Sequence, residues 1–235
     1  MKNIIFDVDD TLYDLMEPFQ QAHEELFGQR FDLPCEPLFM ASRTYSDEAF
    51  YMVEEGKLPS EEAFSYRIIK AYQAFGVEIK PQEAKEFEKK YRSYQKKLHL
   101  PEITKRILDY CKEKHVKIGA LTNGTLENQG KKIQTLGLSH WIPEEYLFIS
   151  EGVGAPKPEA KAFLAVQEKM NIHPEDTWYI GDTYEVDVEG AKSVGWHVIW
   201  YNHRHRPMPE SHTRPDLEVS TGEELFEAIQ EIIEG

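Results

Sequence analysis

Cysteine is scarce in this sequence, which has only Cys35 and Cys111 among its 235 residues. The two positions match no metal-ligand spacing, and two cysteines are too few to form a disulfide framework. We therefore expect two ordinary thiols. A zinc site built on cysteine and a disulfide-stabilised fold are both excluded.

Long hydrophobic runs are also missing. No apolar segment approaches the length needed to cross a bilayer, and the amino-terminal residues become acidic by Asp7 without the pattern of a signal peptide. With 40% hydrophobic and 29% charged residues, the composition is that of a soluble globular protein. We expect a cytoplasmic protein that has no membrane partner.

Basic residues are in deficit, since 27 Lys and Arg residues stand against 42 Asp and Glu residues and give a formal net charge of −15. This balance argues against nucleic acid as a partner, because binding to nucleic-acid backbones depends on clusters of Lys and Arg. A small anionic substrate would need locally placed cations and a metal. The length fits one large domain or a core domain with a smaller one.

A short apolar run, Ile4-Ile5-Phe6, ends abruptly in Asp7-Val8-Asp9-Asp10-Thr11. This pattern predicts a buried strand with carboxylates at its carboxyl end, where Asp7 and Asp9 point to the same side. Two converging carboxylates require a cation between them or a shared proton, which implies a divalent metal or an acid–base pair. An aspartate can also attack a phosphoryl group as a covalent nucleophile. Taken alone, the segment is equally typical of a polar turn.

The rest of the chain falls into two patterns. Residues from about 15 to 97 show helical periodicity throughout, with a core predicted to include the aromatic residues Tyr45, Phe50, Tyr51 and Phe64. Later residues alternate between strands and helices, which implies an open parallel sheet with helices on both faces. We therefore predict an α/β fold. A doubly wound, Rossmann-like parallel sheet core (1–14 and 98–235) would receive an all-helical domain (15–97) after its first strand.

Polar residues at the predicted strand ends are the candidates for a site, because ligands of such sheets bind at the carboxyl ends of the strands. Hydroxyl and backbone N–H groups before a helix can hold phosphate oxygens, and carboxylates favour hard cations such as Mg²⁺. Each group alone also has an ordinary explanation; Asp187, for example, would serve equally as a helix cap or as the partner of Lys157. Four groups follow from this rule: Asp7 with Asp9, Thr122 with Asn123, Lys157, and Asp182 with Asp187.

Together the four groups resemble the motifs of the haloacid dehalogenase-like (HAD) hydrolase superfamily. The resemblance covers the predicted core from residue 3 to about 200. It implies a Mg²⁺-dependent phosphatase that acts on a small phosphorylated metabolite, with the helical block as a cap domain that closes over the site. The matching segments are Asp7-Val8-Asp9-Asp10-Thr11, Leu121-Thr122-Asn123, Lys157-Pro158, and Gly181-Asp182 with Asp187, Gly190-Ala191 and Gly195.

The resemblance also implies catalytic roles. Asp7 would attack phosphorus and become an aspartyl-phosphate, while Asp9 would protonate the leaving oxygen and later activate water. Thr122 would bind the phosphoryl oxygens, with Asn123 alongside. Lys157 would neutralise the nucleophile and the developing charge.

The metal would be Mg²⁺, and the resemblance takes its ligands from the first and the last of the matching segments. The ion would be bound by Asp7, by Asp182 and by the backbone carbonyl of Asp9. Asp187 would either bind the ion directly or hold one of the residues that do. The sequence does not predict which of these two positions Asp187 occupies. It also gives no indication of oligomeric state.

Other functions on the same core stay open. A 2-haloacid dehalogenase needs no acid for a leaving alkoxide and no metal, and dehalogenases of this superfamily lack the second aspartate, so Asp9, Asp182 and Asp187 favour phosphate transfer. A phosphomutase differs only in the acceptor of the phosphoryl group, and the sequence does not distinguish it from a hydrolase. A non-catalytic binding protein would be expected to have lost one of the acids or Lys157, and none is lost.

Two further features of the loops lead to expectations of local structure. Pro158 is expected to open a helix, which would fix Lys157 near the edge of the sheet. The basic run His203-Arg204-His205-Arg206 follows the last predicted core strand in a Pro-rich loop. We expect this run to be solvated rather than to form a metal or anion site, with a position at the border of the pocket as the alternative.

Overall fold

The computed structural model describes residues 2–235, except for the side chains of Asp47, Phe50 and Glu54. The chain divides into two compact units. One unit comprises the chain up to Asp14 together with His99–Gly235, and the other comprises Leu15–Leu98. No helix in the described part of the chain is long and apolar enough to cross a membrane.

The first unit is built on one sheet of six parallel strands. The strands are β1 (Asn3–Phe6), β2 (Lys117–Thr122), β3 (Leu147–Ile149), β4 (Thr177–Gly181), β5 (His197–Tyr201) and β6 (Leu217–Val219). Their order across the sheet is β3-β2-β1-β4-β5-β6, and every pairing is parallel. The strand order reverses between β1 and β4, which is where ligands bind in sheets of this kind. The predicted α/β fold is confirmed, and β6 is an additional edge strand.

The second unit is helical in its described residues and has an aromatic core. Its helices are α1 (Glu17–Phe27), α2 (Cys35–Glu54), α3 (Ala63–Ala74) and α4 (Pro81–Gln95). The ring centroids of Phe19 and Phe87 lie 4.9 Å apart, and those of Phe27 and Tyr72 lie 5.2 Å apart. Edge-to-face pairs such as these bury large apolar surfaces, so they form the centre of this unit.

Of the four aromatic residues predicted to belong to this core, Tyr51 and Phe64 do not. Tyr51 is 67% exposed and Phe64 is 38% exposed, while Tyr45 is half-buried. The side chain of Phe50 lies outside the described residues. Phe64 instead packs under the guanidinium group of Arg92, 4.4 Å from its ring centroid, and this cation–π contact suits an exposed ring.

The remaining helices cover the sheet of the first unit. They are α5 (Glu102–Glu113), α6 (Leu126–Leu136), α7 (Ser150–Val153), α8 (Ala160–Met170), α9 (Glu189–Ser193) and α10 (Gly222–Glu234), with a π-helical turn at Tyr184–Val188. In α6, the Thr125 hydroxyl accepts a hydrogen bond from the Asn128 backbone N–H, and Gly137 ends the helix in the left-handed conformation. Because α8 begins at Ala160, the prediction that Pro158 opens a helix was wrong. The Lys157–Pro158 peptide bond is cis and lies in the preceding turn.

Candidate active site

Three buried carboxylates come together at the carboxyl ends of β1 and β4. Asp7 directly follows β1, and its backbone N–H donates to the carbonyl oxygen of Ile180 at 2.8 Å. Asp182 directly follows β4, and Asp187 lies in the turn beyond it. One carboxylate oxygen from each of Asp7, Asp182 and Asp187 lies within 4.8 Å of the others. We call these three residues the acid cluster.

Gly181 leaves the space that Asp187 occupies. A Cβ atom added at Gly181 would lie 2.4 Å from both Cγ and Oδ2 of Asp187. Asp187 is fixed at this place, because its Oδ2 accepts a hydrogen bond from the Thr183 backbone N–H at 3.0 Å and its side chain is fully buried. The glycine that ends β4 is therefore required by the packing of the acid cluster.

We expect the substitution Gly181→Ala to lower the free energy of unfolding by about 1–3 kcal/mol, the usual cost of overpacking a core. It should also lower catalytic activity, because Asp187 must move. Urea denaturation provides the measurement. Gly130→Ala in α6 is the matched control: no atom lies within 4 Å of its added Cβ, so a gain of about 0.4–1 kcal/mol is expected. Equal stability of Gly181→Ala and the unchanged protein would contradict this prediction.

The Lys157 ammonium group is buried against the acid cluster. Its Nζ lies 2.5 Å from Oδ1 of Asp7 and 2.7 Å from Oδ1 of Asp187. A third contact, at 2.9 Å, is made with the hydroxyl oxygen of Tyr179, a buried residue in the middle of β4. The side chain of Lys157 is 3% exposed, so these partners replace water around the charge.

Asn123 holds the backbone of Lys157. Its side-chain amide donates to the Lys157 carbonyl oxygen at 2.8 Å, and its Oδ1 accepts from the Lys157 backbone N–H at 2.8 Å. Thr122, the preceding residue, is the last of β2 and is buried. The end of β2 therefore lies close to Lys157, and the side chain of Asn123 fixes the loop that presents this lysine.

The electrostatics of the acid cluster favour additional positive charge. Burial raises the pKa of Asp7 to about 7 even though the Lys157 ammonium opposes the shift. Burial, together with the charges of Asp187 and Asp7, raises the pKa of Asp182 well above its usual range. For Lys157, burial works against the charged form, but Asp187 and Asp7 outweigh it and raise the pKa. Three clustered carboxylates, two of them in contact with the Lys157 ammonium group, form the oxygen-rich donor set that suits Mg²⁺.

The Asp9 carboxylate has a different set of neighbours. Lys132 Nζ lies 2.8 Å from its Oδ1 and 2.6 Å from its Oδ2. The hydroxyl of Tyr13 donates to Oδ1 at 2.6 Å, and the side-chain amide of Gln129 donates to Oδ2 at 3.0 Å. Burial favours the neutral form, but these donors, Lys132 foremost, hold the pKa of Asp9 below its usual range. Asp9 is therefore a hydrogen-bonded carboxylate.

The basic loop after β5 is not simply solvated: the prediction of a solvated run was wrong for Arg204 and Arg206, whose contacts agree better with the alternative that the run borders the site. Arg204 Nη2 lies 2.6 Å from Oδ1 of Asp10 and 2.7 Å from Oδ1 of Asp14, and its side chain is 6% exposed. Arg206 Nη1 lies 3.1 Å from Oδ2 of Asp182. The acids that follow β1 and β4 attract these two guanidinium groups, which explains why a loop rich in proline folds back onto the sheet.

Sequence reasoning missed Tyr179, Gln129 and Lys132 at this site. Tyr179 lies inside β4, so a rule based on strand ends passes over it. Gln129 and Lys132 are three residues apart on α6, a spacing that places two side chains on one face of a helix. That spacing, on the helix that follows Thr122-Asn123, was the available sign that both side chains face the site.

Comparison with known proteins decides the family. A sequence model of the haloacid dehalogenase-like hydrolases matches residues 1–195, which include all four groups predicted from the sequence. The chain belongs to this family. The resemblance predicted from the motifs is thereby confirmed.

Relatives of this HAD-like hydrolase include a phosphatase that matches along almost the whole chain. Glyceraldehyde 3-phosphate phosphatase of Methanopyrus kandleri is 24% identical over 241 residues, which covers 99% of this chain and 98% of the relative. The crystal structure of the HAD-hydrolase YfnB from Bacillus subtilis, bound to magnesium, is 25% identical with a TM-score of 0.69 and covers 97% of this chain and 98% of that one. A dehalogenase structure that is 16% identical has a TM-score of 0.75 and covers 97% and 96%. At that identity the dehalogenase shows a shared fold alone.

Proposed function

We propose that this HAD-like hydrolase is a cytoplasmic, Mg²⁺-dependent phosphatase that cleaves a small phosphomonoester through an aspartyl-phosphate intermediate. One observation supports this above all: the Asp7 carboxylate lies 2.5 Å from the buried Lys157 ammonium group and within the acid cluster. An aspartate placed in this way is suited to attack an anionic phosphoryl group, because the surrounding cations reduce charge repulsion. The phosphatase from Methanopyrus kandleri, which matches along the whole chain, adds support.

In the first half-reaction, an oxygen of Asp7 attacks phosphorus and the bond from phosphorus to the ester oxygen breaks. Asp9 takes up a proton when the substrate binds and passes it to the leaving alkoxide, so that an alcohol departs and an aspartyl-phosphate remains. Lys157 stays beside the reacting carboxylate and offsets the negative charge that spreads over the phosphoryl oxygens.

In the second half-reaction, water attacks the phosphorus of the aspartyl-phosphate. Asp9, now ionised, accepts a proton from that water, and the bond from phosphorus to Asp7 breaks to release inorganic phosphate. Thr122 contributes a hydroxyl for the phosphoryl oxygens. Asn123 contributes by holding the loop that presents Lys157, since its side chain bonds to that backbone.

The acid cluster fits Mg²⁺, because it gathers three buried carboxylates at the end of the sheet. Asp7, Asp182 and the backbone carbonyl of Asp9 would hold the ion, with Asp187 in support. When bound, Mg²⁺ supplies a fixed positive charge for the phosphoryl oxygens. The magnesium-bound YfnB structure supports Mg²⁺ as the metal. We assign to the helical unit the role of a cap domain that selects the substrate.

The decisive experiment measures phosphate release from a panel of phosphomonoesters, including glyceraldehyde 3-phosphate, with and without Mg²⁺. We expect release that depends on Mg²⁺ and that disappears in the Asp7→Asn variant. Three results would favour the other functions. Transfer of the phosphoryl group to a second hydroxyl of a sugar phosphate would indicate a mutase, halide release would indicate a dehalogenase, and inactivity of the folded protein would indicate a binding role.

Mg²⁺ should stabilise the protein as well as activate it. At 100 times its dissociation constant, a ligand specific for the folded state adds about 2.7 kcal/mol, and each kcal/mol raises the melting temperature of a protein of this size by roughly 2–4 °C. We expect Asp182→Asn to lose most of this rise, and chelation to abolish phosphate release.

Glu175→Gln is the control for the metal prediction, because it removes one negative charge, as Asp182→Asn does. Glu175 is exposed and lies just before the amino-terminal end of β4, whereas Asp182 follows its carboxyl end. Its melting temperature should rise with Mg²⁺ as in the unchanged protein. Full activity in excess chelator would contradict the assignment of the acid cluster to the metal.

A further inference from the structure

Two side chains of α6 bind the carboxylate that acts as general acid in the proposed function. Lys132 contacts both oxygens of Asp9, and Gln129 contacts one of them. The same side-chain amide of Gln129 also donates to the carbonyl oxygen of Asn123 at 3.0 Å. Gln129 thus connects Asp9, at the end of β1, to the residue that follows β2.

These contacts restrain a side chain that the backbone alone would leave loosely defined. Asp9 lies beyond the end of β1, and its side chain is 25% exposed. Its carboxylate can turn about two rotatable bonds, so burial alone does not fix its direction. An ammonium group on both oxygens fixes the direction of the carboxylate plane, and a second donor on Oδ2 fixes it further. The helix that presents the donors is well anchored, because it has an N-cap and a left-handed C-terminal glycine.

The two residues are themselves constrained on the same face of α6. Gln129 is buried, and the side chain of Lys132 is 16% exposed. Lys131, the adjacent residue, has a 69% exposed side chain and pairs with Glu127 one turn earlier on the same helix. Only the lysine that faces the sheet is therefore placed to act on Asp9, and Lys131 provides a matched control.

We propose that Lys132 and Gln129 are positioning residues that hold the Asp9 carboxyl group in the orientation from which, once it is protonated, it delivers that proton to the leaving oxygen. This inference rests on the proposed function. It differs from a structural role because it predicts a loss that depends on the leaving group. An alkyl ester needs its leaving oxygen protonated, whereas p-nitrophenolate leaves readily without a proton.

The test compares kcat/KM for glycerol 2-phosphate and p-nitrophenyl phosphate in the presence of Mg²⁺. Positioned acid–base groups contribute about 10²–10⁴-fold, so we expect Lys132→Met to lose about 10²-fold with glycerol 2-phosphate and less than about 10-fold with p-nitrophenyl phosphate. Gln129→Met should show the same preference with a smaller loss. Lys132→Arg should recover most of the activity on the alkyl ester, because a guanidinium group also contacts both oxygens of a carboxylate. Lys131→Met should match the unchanged protein on both esters.

Equal losses with the two esters, or no loss with either, would overturn the proposal. If Lys132→Met does not fold, the comparison of Gln129→Met and Lys132→Arg decides the question in the same way. Failure of the proposed function itself is distinguishable. In that case the unchanged protein would hydrolyse neither ester, or Asp7→Asn would remain active on both, whatever the result at Lys132.

Discussion

The Asp7→Asn variant is expected to release phosphate on the order of 10⁴-fold more slowly than the unchanged protein, or not at all. Loss of a covalent nucleophile removes the whole reaction path, so its effect exceeds that of losing a binding contact. The amide has the same shape as the carboxyl group, and Asp7 is buried, so the packing should be preserved. Phosphate release at saturating substrate and Mg²⁺ gives the measurement.

A second readout separates loss of the nucleophile from loss of the fold. Rapid acid quenching of a reaction with radiolabelled substrate should trap phosphate on the unchanged protein and none on Asp7→Asn. Asp32→Asn, which makes the same substitution at an exposed residue of the helical unit, is the control. It should retain phosphate release and should trap labelled phosphate as the unchanged protein does. Near-normal turnover by a folded Asp7→Asn protein would rule out the aspartyl-phosphate mechanism.

The Lys157→Met variant is expected to have the largest effect on stability. Removing one partner of a buried ion pair costs about 3–5 kcal/mol, because the remaining charge is left uncompensated. Here Asp7 and Asp187 both lose their contact with the ammonium group, and all three side chains are at most 7% exposed. Urea denaturation without Mg²⁺ gives the measurement, and phosphate release should also be lost.

Two controls define what the Lys157→Met result means. Lys161→Met removes a nearby exposed lysine that contacts the Gly154 carbonyl oxygen, and should change stability by no more than about 0.5 kcal/mol. Combining Lys157→Met with Asp187→Asn should cost less than the sum of the two single changes, since the second relieves the unpaired charge. A Lys157→Met protein as stable as the unchanged one would show that this ion pair contributes little.

The sequence predicted the fold and the strand-end residues because both depend on local patterns. Apolar runs that end in acids or in Thr-Asn identify strands and their ends, and a parallel sheet brings those ends to one edge. For that reason Asp7, Asp182 and Asp187 were predicted together and lie together. The assignment of Mg²⁺ and of catalytic roles to them stays a prediction until the experiments above are done.

What the sequence did not predict depends on side-chain direction and on loops that fold back. Asn123 was predicted to bind phosphate, yet its side chain bonds to the Lys157 backbone, and no local pattern indicates such a partner 34 residues away. Arg204 looked solvated because a loop rich in proline and charge usually is. Its contact with Asp10 spans 194 positions, a separation at which sequence pattern contains no information about contact.

The central position of β1 in the sheet has a consequence for the order in which the sheet can assemble during synthesis. Asn3 in β1 pairs with Lys117 of β2 on one side and with Thr177 of β4 on the other. Synthesis proceeds from the amino terminus, so β1 leaves the ribosome long before β2 or β4 has been made. The helical unit of residues 15–98 is also complete before β2 is made. Asp7 can therefore meet Lys157 and Asp187 only after those residues have been synthesised, and the candidate active site is among the last parts of the chain to be completed.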